Sequence, residues 1–346
     1  MFWPSTIAPQ AWSPSPVRET PVQEIHDAER IADELEGPAF VAPGPEGHLI
    51  AGLADGRLAM FEPKAPVGRA VRTDQDENDG GRPGEFEVAG VLGARPFGVA
   101  RGFGEAVLAA AGDKGLLAAN EGRVIPLVSE VQNRPIHYAA DLAISFARGI
   151  VYFTDASDQR GPSASWAEFF EHGAHGRLLA YDANRHETQT LAEGLHFPFG
   201  IALAPDERFA LIAEMTDYRV LRRWLTGPRE GQIETFVDGL PGYPADVSAT
   251  ARGTFWIAIY SPRIASLDRL ASTPWLRALW FKLPRALQPQ PRRETWAIEV
   301  DGEGRILREL RDSSADAYAP VTGVLEHDGA LYLGSPTQDG VLRVPL

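Results

Sequence analysis

Two aspartates, two histidines and a set of aromatic residues carry the candidate chemistry of this chain. Asp141 opens the run DLAISFARGIVYFTD and Asp246 opens DVSATARGTFWIAI. A carboxylate held in an apolar mouth has a raised pKa, because burial disfavours its charged form, and it can then act as an acid or base near neutral pH. His137 and His196 lie in the segments leading into such runs, RPIHYAAD and LHFPFG, and a histidine suits the other station for the proton. Tyr138, Phe199 and Tyr243 stand in the same kind of lead-in segment and can wall an organic substrate. The plainer alternatives are that both aspartates bond backbone N–H groups at strand starts and that His196 is a packing residue. Asp155 and Glu214 end strands and read as structural carboxylates holding neighbouring units of the fold. Glu326-His327-Asp328-Gly329 reads as an outer hairpin turn, not a triad. The sequence has no G-x-S-x-G elbow, P-loop, H-E-x-x-H or dinucleotide-type glycine motif.

The elements that must position these residues recur. A short apolar strand, a tight polar turn and a second apolar strand form a unit that appears six times: AFVAPGPEGHLIAGLADG, FGVARGFGEAVLAAAG, DLAISFARGIVYFTD, GIALAPDERFALIAE, DVSATARGTFWIAI and VTGVLEHDGALYLGS. With Phe40, Gly98, Leu142, Ile201, Val247 and Val324 as markers, the spacings are 58, 44, 59, 46 and 77 residues. A four-stranded propeller blade takes about 40–50 residues, so the longer intervals carry insertions. The chain is therefore expected to be all-β, a six-bladed β-propeller formed by residues 1–346 as one domain, closed so that only short edges remain. The alternative, stacked β-sandwiches, would not need the same turn six times.

Composition narrows the partners. The net charge of −14 and a pI near 5.1 argue against nucleic acid or an anionic membrane, which select basic surfaces. There is no cysteine, hence no disulfide framework and no thiolate metal site. No run approaches the ~20 apolar residues of a membrane span, and MFWPSTIAPQAWSPSPVRE lacks the features of a signal peptide, so a cytoplasmic protein is expected. Residues 1–20 read as an extended arm on the ring, and Gln23–Glu36 as either a helix or a strand with a polar edge. Asp74, Asp76, Asn78 and Gly80 are spaced like a calcium loop but lack the closing bidentate Glu, which favours a solvated hairpin. SASWAEFFEH predicts a short helix on the rim, after a Ser cap. Residues 264–293 predict a helical insertion in the fifth-to-sixth blade region. Trp275, Leu276, Leu279, Trp280 and Leu283 fall near one face of it, with Arg277 and Lys282 opposed. It would serve as packing on the blade, as a lid, or as an interfacial anchor.

GRLLAYD, FPFGIALAPDERFALIAE, YRVLRRWLTGP and LPGYP, with VYFTDAS upstream and EHDGALYLGS downstream, resemble the strictosidine-synthase-like proteins, within the wider group of SMP-30/gluconolactonases and paraoxonases. The resemblance runs from about Ala11 to the C-terminus and implies a six-bladed propeller with a small-molecule site at one mouth of the channel. Hydrolytic members of the group use a divalent cation, which needs several converging oxygen ligands. At the positions this implies, the chain has Ala39, Ala140, Phe199 and Ala245, the last followed by Asp246. No metal is therefore expected there, and no cofactor. Asp141 and Asp246 sit beside the erased ligands. Strictosidine synthase condenses an amine with an aldehyde using a glutamate at the channel mouth. The aligned residue here is Thr322, a candidate substrate contact, so that reaction is not implied.

The leading expectation is metal-independent acid–base chemistry, of lyase, isomerase or condensing type, on an apolar or aromatic organic molecule. Asp141, Asp246, His137 and His196 would be the reacting groups, and Tyr138, Phe199, Tyr243 and Thr322 would contact the substrate. The alternatives are a lactonase or esterase and a propeller that binds a small molecule or protein without catalysis. The sequence leaves the oligomeric state open.

Overall fold

The structure is a computed structural model and describes residues 6–18, 20–63, 86–120 and 122–346. The calcium-like spacing at Asp74–Gly80 lies outside these residues.

Six antiparallel sheets form the ring. Their first strands are Val41–Pro43, Val99–Arg101, Ala139–Ser145, Pro198–Leu203, Gly242–Ala249 and Gly323–His327. Each lies beside the next, and the sixth returns to the first, so these strands line the centre. The six sequence markers fall within or directly before them. The N-terminal strand Glu29–Glu36 supplies the outer strand of the sixth blade, pairing antiparallel with Asp339–Pro345. An early strand and the last strand of the chain are thus hydrogen-bonded into one blade, and closing the ring leaves no open face between first and last. Val22–Glu24 runs parallel to Ile306–Asp312 and covers the outer edge of the fifth blade. Gln23–Glu36 therefore resolves into two strands rather than a helix.

Continuous apolar runs form the blades because both faces of each sheet are covered. In the first blade Ile50 faces the second blade, among Val99, Ala109 and Leu117, while Leu49 and Ala51 face the sixth, among Leu325 and Tyr332. In the third blade Val151 and Phe153 turn toward the second and Tyr152 toward the fourth. Side chains alternate along a strand with a period of two, so a run such as IVYF feeds two cores at once. Six clusters of this kind separate the six blades, and a seventh caps the mouth of the channel. Each large apolar side chain taken out of water contributes about 1.5–3 kcal/mol, so the blade faces supply most of the stabilisation.

Three short helices sit at the mouth: α1 (Trp166–Glu171), α2 (Ala265–Arg269) and α3 (Pro274–Phe281). No side-chain oxygen caps α1 at Ser165. A 3₁₀ turn, Pro162–Ala164, runs into it instead, and His172 ends it in the left-handed conformation at φ 51°. Of the arm expected at residues 1–20, the described residues 6–18 run past these helices: Gln10 N–H donates to the Glu171 carbonyl, Trp12 N–H to Ala271, and Arg18 N–H to Gly239 ahead of the fifth blade.

The insertion holds a reversed face. Arg277 is fully buried, donating to the carbonyls of Phe170 (2.5 Å) and Gln10 and lying over the Trp12 ring at 4.3 Å. Phe281 is buried on the same side, whereas Trp275, Leu279 and Leu283 point outward. The carbonyls of Gln10 in the arm and Phe170 in α1 accept from the guanidinium, which gives Arg277 an inward partner that a leucine could not use.

Candidate functional site

A cavity of about 370 Å³ opens at the helical end of the ring. Four lead-in segments and the turn before α1 build it. Arg95 and Phe97 come from the approach to the second blade, Tyr138 from the third, Phe197 and Phe199 from the fourth, and Thr322 from the sixth. Pro162, Ser163, Ser165 and Phe169 close it from the rim. Its rings meet at tilted and edge-on angles, which the aromatic quadrupole favours: Phe97–Tyr138 at 5.1 Å, Tyr138–Phe199 at 5.7 Å and Tyr138–Phe197 at 5.7 Å between centroids. Arg95 is the one charged residue among the described lining residues. It donates to the carbonyls of Gly37 (3.1 Å) and Pro336 (2.7 Å), and its Nε is buried without a partner. Burial lowers its pKa.

The frame behind the aromatics is a repeated device. In the third blade Asp155 ends the second strand, accepts Tyr138 N–H at 2.9 Å and pairs with Arg177 on the third strand. In the fourth blade Glu214 accepts His196 N–H at 2.7 Å and pairs with Arg219 at 2.5 Å. Each carboxylate therefore fixes the lead-in of its own blade. This corrects the expectation that they hold neighbouring ones. The links between blades come from other residues: Asp141 accepts Ile201 N–H (2.8 Å), Thr154 Oγ1 donates to the Phe199 carbonyl (2.6 Å), Asp246 accepts Val324 N–H (2.9 Å) and Thr322 Oγ1 donates to the Ala39 carbonyl (2.8 Å).

Of the residues singled out in the sequence, Tyr138, Phe199 and Thr322 line the cavity. Asp141 and Asp246 do not. They lie one step further along the first strands than Ala140 and Ala245, where the two carboxyls meet. Burial and the neighbouring Asp246 push Asp141 well above the usual carboxylate range, and burial pushes Asp246 up to about 7. Room for them is made by glycine: a Cβ at Gly98 would fall 2.3 Å from Asp141 Oδ1, and one at Gly200 2.5 Å from Asp246 Cα. Tyr243 sits behind the wall, not in it, with its ring 4.9 Å from Phe169 and its hydroxyl 3.2 Å from that of Tyr218, which also bonds Asp268 at 2.7 Å. His137 is half-buried and outside the cavity lining.

His196 belongs to a stack that the sequence did not suggest. Trp12 of the arm, His172 at the end of α1 and His196 lie face to face, with centroids 4.2 and 4.6 Å apart. His172 Nε2 lies 3.2 Å from Asp217, which also holds Arg219 at 2.8 Å. Burial lowers His196 to about 4, and its Nδ1 has no partner. The three groups His172, His196 and Asp217 are close enough to suggest a metal. The rings, however, are within 28° of parallel. Imidazole lone pairs lie in the ring plane, so stacked rings do not aim at one ion, and the cluster does not fit a metal centre.

Neither does the mouth fit a hard cation through the positions singled out for one. Ala39, Ala140, Phe199 and Ala245 carry no side-chain oxygen and pack in one apolar cluster with Phe97, Tyr138 and Phe197. The nearest carboxylates, Asp141 and Asp246, already accept backbone N–H groups.

Arg95 was missed by the sequence reading, although a signal was present. Arg95-Pro96-Phe97-Gly98 repeats the pattern of Phe197-Pro198-Phe199-Gly200 in the equivalent lead-in.

A family profile described as strictosidine synthase matches residues 140–228, and one described as strictosidine synthase-like, N-terminal, matches residues 21–61. The chain is 34% identical over 325 residues to the adipocyte plasma membrane-associated protein of Salmo salar, spanning 90% of this chain and 76% of that one. It is 30% identical over 315 residues to the protein strictosidine synthase-like 10 of Arabidopsis thaliana, spanning 86% and 82%. Among solved structures it overlays on a gluconolactonase from Xanthomonas campestris with a TM-score of 0.64 at 14% identity, over 98% of this chain and 99% of that one. It also overlays on the calcium-binding protein regucalcin from Agrobacterium tumefaciens, with a TM-score of 0.60 at 14% identity over 94% and 95%. At such identity the two structures share its fold. With the propeller, the closed ring and the lead-in motifs in place, the sequence likeness decides the assignment: the chain belongs to the strictosidine-synthase-like family.

Proposed function

We propose that the mouth cavity takes a largely apolar, ring-containing organic molecule that carries a carbonyl or carboxylate, with the acceptor group turned to Arg95. The observation behind this reading is the wall itself: six aromatic side chains, Phe97, Tyr138, Phe169, Phe197, Phe199 and Tyr260, around one guanidinium. Small-molecule sites are mostly apolar, with a few placed polar groups that set orientation, and 370 Å³ suits a molecule of two or three rings. A desolvated guanidinium polarises a carbonyl or neutralises an anion more strongly than it would in water.

A metal-independent acid–base step, of lyase, isomerase or condensing type, is the reaction this reading favours. The paired carboxyls of Asp141 and Asp246 support it, since one proton shared near neutrality can be given or taken. They lie outside the cavity lining and accept backbone N–H groups, so the step requires the substrate to reach past the residues that line the cavity. A lactonase or esterase is the second reading, supported by Arg95 as a site for a developing oxyanion.

The test is a panel of aromatic and alicyclic acids, ketones and lactones, followed by thermal shift and by product analysis with and without EDTA. Ring-containing acceptors should raise Tm, and Phe199→Ala should abolish the shift. Binding confined to small sugars or to metal-loaded protein would overturn the reading.

A further inference from the structure

We propose that the 264–293 insertion is a docking surface for an anionic lipid bilayer, placed beside the mouth of the cavity. Its outward face is apolar. Trp275 is 68% and Leu287 62% exposed, the two most exposed large apolar side chains among the described residues, and Leu279 and Leu283 lie between them. Trp275, Leu279 and Leu283 recur every four residues along one side of α3 and its exit. The opposite side is anchored through Arg277, so the apolar stripe is not a core face left over by poor packing. Contiguous exposed apolar surface of this kind marks an interaction site.

The charge around it selects the partner. Between Arg263 and Arg293 the sequence has seven Arg or Lys and one acidic residue, Asp268, in a chain whose net charge is −14. Asp268 is turned inward to Tyr218, whereas Arg269, Lys282, Arg285, Arg292 and Arg293 are all exposed. In a two-fold contact with a second copy the patch would face itself, basic side chains against basic side chains, which like-charge repulsion disfavours. A surface of acidic headgroups over hydrocarbon complements both features, in the way interfacial amphipathic helices do. The overall acidity argued against such a membrane, but a bilayer meets only the face that touches it, and screening within about 10 Å hides the rest.

The position gives the surface a use. Gln288 accepts from Trp166 Nε1 at 2.8 Å, Arg285 lies over the Trp166 ring at 3.9 Å, and α1 carries Phe169 into the cavity wall. Docking here seats the mouth at the lipid surface, where an apolar ligand is most concentrated.

Cosedimentation of the full chain with phosphatidylcholine vesicles containing about 30% phosphatidylserine, against pure phosphatidylcholine, tests this. The protein should bind the anionic vesicles at least tenfold more tightly, and binding should weaken as salt rises. The double variants Trp275→Ser/Leu287→Ser and Arg269→Glu/Lys282→Glu should each lose at least tenfold while melting as the parent does. No binding to anionic vesicles at low salt overturns the proposal, as does equal binding by the parent and both variants. So does a dimer in solution that the Trp275→Ser/Leu287→Ser variant dissociates, with no vesicle binding by the parent: a second copy would then own the face.

Discussion

Asp141 of the third blade and Asp246 of the fifth meet carboxyl to carboxyl at the centre of the ring, each also accepting a backbone N–H from the blade that follows. The pair therefore ties the third blade to the fourth and the fifth to the sixth, and it holds a proton in doing so. Like charges at contact in a buried place cannot both ionise cheaply, so one carboxyl stays neutral at a pH where an exposed aspartate would be charged.

This has a signed consequence for stability. Burial raises both groups above their unfolded values, Asp246 to about 7, so the folded chain binds more protons than the unfolded chain between about pH 4 and 7. The contribution is full below pH 4 and is lost as pH rises through 7. A displacement of that size is worth on the order of a few kcal/mol. Asp246→Asn, which mimics the neutral form, should flatten this limb of the unfolding free energy. Urea denaturation at intervals from pH 4.5 to 8 measures it; an unchanged slope would separate the pair from the titration.

His196 should act in the opposite sense. Its pKa is lowered by burial to about 4, against 6.5 for the free side chain, so the unfolded chain is the one that takes up protons between these values. Stability present above pH 6.5 is lost as pH falls toward 4, by on the order of 3 kcal/mol. The two effects overlap and partly cancel in the parent protein. His196→Phe keeps a ring against His172 and removes the titration. It should therefore steepen the fall in stability with rising pH to which the Asp pair contributes, and denaturation curves of the two single variants and the double variant would show whether the opposing slopes add.

The architecture was legible because a period-two pattern with both faces apolar repeats six times, and such runs have few other ways to bury themselves. The sites were less legible. Phe199 and Tyr138 could be placed because they belong to lead-in segments that converge on the axis. Tyr243 stands in such a segment too, but Phe169 from α1 covers it, and no local pattern announces a contact between residues so far apart in the chain. The same holds for the insertion. Its apolar positions were visible, but which face turned inward depended on carbonyls of the arm and α1 that accept from Arg277. His172 stacks directly on His196, with the arm's Trp12 on its other face, again a tertiary event.

Gly98 tests the close approach that makes room for the Asp pair. Its φ needs no glycine, but a methyl group there would fall 2.3 Å from Asp141 Oδ1 and 2.5 Å from its Cα. Neither is the loose end of a flexible side chain, since both belong to the axis. Gly98→Ala should cost about 1–3 kcal/mol or more by overpacking, seen as a lowered Tm. Gly104→Ala, where nothing lies within 4 Å but φ is +65°, should cost less, by about 1 kcal/mol, and serves as the control.

Arg95 is where the proposed ligand orientation can be separated from the shape of the cavity. Its guanidinium faces Phe97 at 5.7 Å while one nitrogen is held by the carbonyls of Gly37 and Pro336, so the head group is fixed before any ligand arrives. Removing it leaves the aromatic cage but takes away the charge and the two carbonyl bonds. Arg95→Met should therefore cost about 1–3 kcal/mol of stability through unsatisfied carbonyls, with a similar cost for acidic and neutral ligands if the role is only structural. If Arg95 receives the acceptor group, the loss is selective. A ring-containing acid should bind at least tenfold more weakly to Arg95→Met, while its neutral hydrocarbon analogue binds the parent and the variant alike. Arg95→Lys keeps the charge but not the planar fork, and should recover only part of the acid's affinity. Calorimetric titration of both compounds into the three proteins, with Tm recorded for each, decides the matter. Equal losses for acid and hydrocarbon would assign Arg95 to the frame and leave the cavity as a purely apolar receptor.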